Sequence, residues 1–232
     1  MTGIPILFED DEIFVINKRA GLSAQGGRGV AHPLDEELSR QAGFKVHLVH
    51  RLDKETCGLM VVAKNSAAAA KWVDLISSGQ AMKEYTAVCF GEPVLGGKKC
   101  GSGTISSAVP KKNGRGRMEL SASTDFTVEE VRLVEIPRDE DGPYPQGDGS
   151  IELSKINLRL GTGRTHQIRI HLASVSCPVC GDDKHGNFRL NKVARKRLGI
   201  KNLLLCSRRL TIPSSDGKRL SFEISLPDYF PM

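Results

Sequence analysis

His50-Arg51-Leu52-Asp53-Lys54-Glu55-Thr56-Cys57-Gly58-Leu59-Met60-Val61-Val62-Ala63 divides into a polar turn and an unbroken apolar run. The run over 59–63 is short, apolar and bounded by turn residues, so it reads as a buried strand. The turn before it holds an imidazole, a guanidinium and a carboxylate within four positions and ends on Gly58. A connection with no other task rarely needs such groups, whereas a loop fixed by a rigid strand is where reactive side chains are commonly placed. Taken alone, Asp53 also fits a turn residue that bonds its own backbone.

Outward from this stretch, strands and helices alternate without internal repeats. Upstream, Ile13-Phe14-Val15-Ile16 reads as a strand running into Asn17-Lys18-Arg19-Ala20-Gly21, then a glycine-bearing loop at 24–30. Pro33 suits the first position of a helix that runs through Gln41 and closes at Gly43. Downstream, Asn65 or Ser66 can cap a helix with Trp72, Leu75 and Ile76 on its packing face, ended by Gly79. Residues 83–90 are rich in strand formers. The basic stretches 96–99 and 111–117 read as exposed hairpin loops around a short strand at Ile105, with 126–136 extended. Residues 137–149, rich in proline and glycine, read as a solvent loop, and 151–160 as a strand. Gly161-Thr162-Gly163 then opens a helix from Arg164 to Leu172, and the last forty residues read as strands around an Asp216-Gly217 hairpin.

Composition bounds the function. The 232 residues, 39% hydrophobic, suffice for one sizeable core or two fused subdomains. Lys and Arg number 33 against 27 Asp and Glu, a formal +6 that suits a polyanion partner. No stretch reaches the ~18 apolar residues of a membrane span and no signal-peptide pattern opens the chain, so a cytosolic protein is expected. The six cysteines are scattered and should be free thiols. Neither a phosphate-binding loop nor a dinucleotide fingerprint is present, and no cofactor is expected.

Three polar constellations compete. The first is Asp53 with Arg51. The second gathers Arg164, His166, Gln167, Arg169 and His171 within eight residues. If that helix end faces the Asp53 turn, Arg169 can pair with the carboxylate and keep it aimed; otherwise the segment is a solvated basic face. The third, Cys177-x2-Cys180-x4-His185, has the spacing of the first three ligands of a zinc knuckle, but Leu190 stands at the fourth position. Unless Cys206 folds back, the two cysteines beside Pro178 read as packing residues and no metal is expected.

His50-Arg51-Leu52-Asp53 with Thr56 and Gly58, then Lys83-x-Tyr85-x-Ala87, then Gly163-Arg164-Thr165-His166-Gln167-Ile168-Arg169-Ile170-His171, in this order, closely resemble the RluA family of RNA pseudouridine synthases. The likeness extends to Asn17-Lys18-x-Ala20-Gly21 near the start, Pro178-Val179-x-Gly181-Asp182 after the third motif, and Leu226-Pro227 near the end. The resemblance implies isomerisation of uridine to pseudouridine in RNA. Asp53 inherits the essential carboxylate, Tyr85 lies against the base as proton acceptor, and Arg169 ion-pairs with the aspartate. Ile168 packs on the ring, and Arg51 fills the gap left by the flipped nucleotide; His50, Arg164, His166 and Gln167 join the substrate-binding set.

The implied fold is α+β: a bent, mainly antiparallel sheet in two fused subdomains, with a central cleft holding Asp53, Tyr85 and Arg169. The expectation is one catalytic domain over 1–232 without the N-terminal S4 domain of many relatives, acting as a monomer on RNA, with large-subunit ribosomal RNA favoured and transfer RNA the other candidate. The chain departs from the family's usual residues at Arg19 (proline), Cys57 (serine), His185 (tyrosine) and Cys206 (histidine). Two other readings stand beside this one: an RNA-binding or RNA-chaperone protein of the same fold without catalysis, and a zinc-stabilised binding module.

Overall fold

All seven residues of the strand Cys57–Ala63 are buried, as its apolar run requires. The structure is a computed structural model that describes residues 3–27, 30–113, 116–136, 149–214 and 217–232, without the side chains of 111–113 and 116–117. The first elements in chain order are β1 (Ile6–Glu9), β2 (Ile13–Lys18), α1 (Leu34–Ala42), β3 (His47–Leu48), β4 (Cys57–Ala63) and α2 (Ser66–Ser77). Then come β5 (Met82–Phe90), β6 (Val94–Leu95), β7 (Lys98–Lys99), β8 (Ser102–Asn113), β9 (Gly116–Glu135) and β10 (Ser150–Leu160). The chain closes with α3 (Gln167–Ser174), α4 (Phe188–Arg197), β11 (Leu205–Pro213) and β12 (Arg219–Glu223). The fold is α+β, with mostly antiparallel strand pairing and, among the described residues, four helices. It divides into two units, Met1–Glu84 with Cys206–Leu226 and Tyr85–Leu205 with Pro227–Met232.

In the first unit β4 is central. β2 runs antiparallel along one edge, from Ile13↔Ala63 to Lys18↔Gly58. The other edge is shared: β11 pairs in parallel with its start, Cys206↔Cys57 and Ser207↔Gly58, and β3 takes its end, His47↔Ala63 and Leu48↔Val62. Because successive side chains in a strand point to opposite faces, Ile13, Val15, Leu59, Val61 and Ala63 share one side, where Ala68 and Trp72 of α2 join their cluster. Asn65 caps α2 by accepting the Ala68 N–H at 2.9 Å, one of the two expected caps. α1 starts at Leu34, so Pro33 is its cap rather than its first residue, and Gly43 closes it in the left-handed region at φ 80°.

Gly58 holds the β4–β11 junction together. Its φ is +111°, and a Cβ there would lie 2.3 Å from the Ser207 carbonyl oxygen. Both the backbone conformation and the space are closed to a side chain. Gly58→Ala is therefore expected to destabilise the protein by more than about 3 kcal/mol, read as a shift of the urea midpoint. An unchanged midpoint would show that β11 moves aside freely.

In the second unit the sheet order is β5-β10-β9-β8, and β6 and β7 form a separate small hairpin. β9 is 20 residues long because it serves two partners: β8 from Ser102↔Thr127 to Asn113↔Gly116, and β10 from Ser150↔Glu135 to Leu160↔Thr124. Two sequence expectations change here. The basic stretch 111–117 is not a loop, since Lys111↔Met118 and Lys112↔Arg117 continue the ladder, leaving only a two-residue connection, outside the described residues. Likewise the short strand at Ile105 is part of the 12-residue β8, in which Ile105 is the fourth residue. The loop expected at 137–149 lies, apart from Gly149, outside the described residues. The expected C-terminal hairpin is present as β11 and β12, paired from Arg209↔Glu223 to Pro213↔Arg219, with Asp216 outside the described residues.

Candidate active site

The polar turn begins with His50, whose Nε2 accepts the Val61 N–H at 3.0 Å. This fills the stretch of the β4 edge between β3 and β11, where a backbone donor would otherwise lack a partner. Removal from water, and then the Lys83 ammonium, push the His50 pKa down to about 3. The imidazole is neutral, with its proton on Nδ1, and acts as a strut. Arg51 is exposed and its Nη1 donates to Gln25 Oε1 at 3.3 Å. Asp53 is half-buried, and its carbonyl closes the turn by accepting the Thr56 N–H at 3.2 Å.

What fixes this turn is Lys18, which sequence reasoning placed only in an opening motif. Its side chain is fully buried at the end of β2, and its Nζ donates to the carbonyls of Arg19 at 3.0 Å, Leu22 at 2.8 Å and Lys54 at 3.0 Å. Gly21 N–H adds a 2.9 Å bond to the same Lys54 carbonyl. The residue next to Asp53 is thus pinned to the segment 19–22 by one ammonium and one amide. Burial lowers the Lys18 pKa to about 8, against the attraction of Cys57, Glu55 and Asp53, which raises it. The available signal was a lysine ending an otherwise apolar strand, three residues before a glycine with φ 81°.

The second unit carries Tyr85, buried on β5, and the Arg164–Arg169 cluster. The helix expected from Arg164 starts only at Gln167, because His166 adopts the left-handed region at φ 55°. Gln167 explains the shape of the preceding loop. Its Oε1 accepts from the Thr162 hydroxyl at 2.6 Å and the Arg164 N–H at 3.0 Å, while its Nε2 donates to the Ser123 carbonyl at 2.8 Å. Arg164 is exposed, Ile168 is buried, and His166 Nδ1 lies 2.9 Å from His185 Nε2. α3 is not a solvated basic face: Gln167, Arg169 and His171 are buried along with Ile168 and Leu172. His171 sits between the Thr124 hydroxyl at 2.9 Å and the Ser107 carbonyl at 3.2 Å. Burial lowers its pKa, opposed by the Ser107 bond.

Arg169 is 3% exposed and is gripped edge-on by Asp182, with Nε to Oδ2 at 2.8 Å and Nη2 to Oδ1. Asp183 adds a contact to Nη2 at 3.2 Å. Two-pronged contact of this kind fixes the plane of a guanidinium. Burial pushes the Asp182 carboxyl up, but the bond from Arg169 and the amides of His185 and Lys184 outweigh it and hold the pKa below the ordinary carboxylate value. Asp182 is the orienting residue that the sequence reading missed; its signal was the Gly181-Asp182 pair. At Gly181, φ is +76° and a Cβ would meet the Asn202 carbonyl, so the chain turns there only with glycine.

The cysteine–histidine constellation is spoken for by other contacts. Cys177 Sγ donates to the Gly91 carbonyl at 3.2 Å, and His185 faces His166. Among the described residues no group of three His, Cys, Asp or Glu side chains is placed to hold a metal ion. All six cysteines are free thiols. No helix of the described residues is long and apolar enough to cross a membrane.

The three motifs thus occupy the pinned turn before β4, the strand β5 and the helix α3 of an α+β fold with mostly antiparallel strand pairing. Residues 12–174 match the family described as RNA pseudouridylate synthase, and the chain belongs to it. It is similar to ribosomal large subunit pseudouridine synthase C of Rickettsia bellii, 32% identical over 97% of this chain and 69% of that protein. It is also similar to ribosomal large subunit pseudouridine synthase D of Xylella fastidiosa, 36% identical over 79% of this chain and 52% of that one. Among solved structures, human RNA pseudouridylate synthase domain containing 4 superposes with a TM-score of 0.69 at 25% identity, covering 97% of this chain and 90% of that one. The protein is an RNA pseudouridine synthase, as the motifs implied.

Proposed function

We propose that Asp53 is the essential carboxylate, Tyr85 the proton acceptor beside the base, and Arg169 the cation that pairs with Asp53. The reaction breaks the N1–C1′ bond of a uridine, turns the uracil, forms C5–C1′, and releases the C5 proton while N1 gains one. It is an isomerisation with no net oxidation or group transfer, so side chains suffice. Whether the carboxylate adds at C1′ or drives elimination at the sugar, it must be ionised and held at that carbon. Lys18 holds its turn, and Asp182 sets the plane of the guanidinium that would meet it. Ile168 packs on the flipped base, Arg51 enters the gap in the stack, and His50, Gln167 and His166 shape the surroundings while Arg164 meets phosphate. Extruding the nucleotide costs a few kcal/mol, which stacking and phosphate contacts must offset.

The observation that carries this reading over a silent RNA-binding scaffold is the burial of Arg169. A protein that only gripped RNA would expose its arginines to phosphate; keeping one out of water, clamped by Asp182, costs several kcal/mol and suits aiming its charge at an internal carboxylate. The names of the ribosomal large subunit relatives support large-subunit ribosomal RNA as substrate ahead of transfer RNA. The free thiols fit a reducing cytosol. Transcripts of both RNAs carrying tritium at uridine C5 test the proposal, because isomerisation must release that label to water. Release from the large-subunit transcript is expected; release from transfer RNA alone would reassign the substrate.

A further inference from the structure

We infer that the exposed face of α4 is a binding surface for single-stranded substrate RNA beside the target uridine, with phosphates on Lys192 and Arg195 and a base stacked on Phe188. The inference deepens the function proposed above. It begins with charge: residues 184–201 hold seven Lys and Arg and no Asp or Glu, against +6 for the whole chain, so everything else sums to −1. The positive surplus of this protein is in effect one helix and its flanks.

A basic helix face is usually just solvated, and three observations argue otherwise. Phe188 at the first position is 64% exposed, an aromatic ring left in water. It falls at i, i+4 and i+7 with Lys192 and Arg195, a spacing that puts all three on one side, while Val193 and Ala194 are buried on the other. Aromatic rings interleaved with cations form the sequence-tolerant platform on which single-stranded RNA binds. Second, Lys192 and Arg195 differ from other exposed cations of the described residues. Elsewhere exposed Lys71 pairs with Glu12, Lys99 with Glu152 and Arg209 with Glu223, whereas Lys192 and Arg195 meet no carboxylate among the described residues. Third, the helix's own electrostatics explain only part of the pattern. Arg195, Lys196 and Arg197 favour the helix C-terminus, but the first turn carries Arg189 and no acid, where the macrodipole favours the opposite sign.

Within the second unit the surface is also tied to Arg169. Asn191 of α4 accepts the Gly181 N–H and donates to the Asp182 carbonyl, both at 2.8 Å, and Asp182 in turn holds Arg169. RNA seated on α4 is therefore held at a fixed distance from that guanidinium.

The test compares the wild-type protein with K192E/R195E, with F188A, and with K45E/K98E, which makes the same charge change at exposed lysines elsewhere. Filter binding and tritium release are read on one C5-labelled large-subunit ribosomal RNA transcript. For K192E/R195E, Kd and KM are expected to rise together by at least about tenfold at ~0.1 M salt, and the slope of log Kd against log salt to become shallower by about 1.4 to 1.8. F188A should raise Kd by about fivefold or more without changing that slope. An equal loss in K45E/K98E would mean that net charge alone is responsible and would overturn the inference. Wild-type affinity in K192E/R195E, or a loss confined to kcat, would overturn it as well. A wild-type protein that binds through α4 but releases no label would uphold this surface and remove the catalytic reading.

Discussion

Asp53→Asn is expected to cut tritium release by at least about 10⁴-fold, about 5.5 kcal/mol of transition-state stabilisation, with RNA affinity within about twofold of wild type. The substitution is close to isosteric and keeps the Asp53 carbonyl that closes the turn by accepting the Thr56 N–H. Lys18 likewise bonds the Lys54 carbonyl, which the substitution does not touch. What changes is charge and nucleophilicity: a neutral amide neither adds to a sugar carbon nor stabilises a cationic one as a carboxylate does. Affinity should survive because the phosphate-binding cations are untouched and a flipped base is held mainly by packing. The measurement is single-turnover release alongside filter binding on one transcript. Full activity in Asp53→Asn would remove this residue from the mechanism, and loss of both activity and affinity would make it part of the binding surface.

Much of this site was legible because its residues are local and chemically odd. His50, Arg51 and Asp53 stand within four positions of a turn, and the strand after them could be read from its apolar run alone. The helices α1 and α2 could be read from their glycine stops, and α2 from its Asn65 cap. What escaped was decided by side chains far apart in sequence. The start of α3 depends on Gln167 bonding Ser123, 44 residues away. The orientation of Arg169 depends on Asp182, which no periodicity reveals. Residues 111–117 read as a loop because their lysines and arginines mimic one, although the ladder of β8 and β9 runs into them. In α4 the cations mask the spacing of Leu190, Val193 and Ala194, although Asn187 caps the helix by accepting the Leu190 N–H at 3.0 Å.

Lys18→Met should lower turnover by at least about 100-fold while changing stability by no more than about 2 kcal/mol. The small stability effect follows from opposing terms: methionine fills the volume and removes the cost of a buried ammonium, but takes a donor from three carbonyls, of which that of Lys54 keeps the Gly21 N–H. Turnover suffers more because one of those carbonyls belongs to Lys54, and a misplacement of about 1 Å at the neighbouring carboxylate can cost a hundredfold. The wild-type pH profile carries the distinguishing sign. A protonated Lys18 has three N–H donors for three carbonyls; the neutral amine has two and turns a lone pair toward an oxygen. With the Lys18 pKa lowered to about 8, turnover should fall as pH rises through about 8. Stability moves the other way. The folded-state pKa lies below the ordinary 10.5, so between about 8 and 10.5 the unfolded chain binds more protons at this group. Its contribution to stability therefore rises with pH across that window, and below it the full cost of burying the charge is present. Activity that declines near pH 8 while this group adds to stability distinguishes loss of a positioned turn from general alkaline unfolding. Lys18→Met should lack that limb and stay low throughout; wild-type turnover in the variant, or an unchanged limb near pH 8, would show that the Asp53 turn is held by something other than this ammonium.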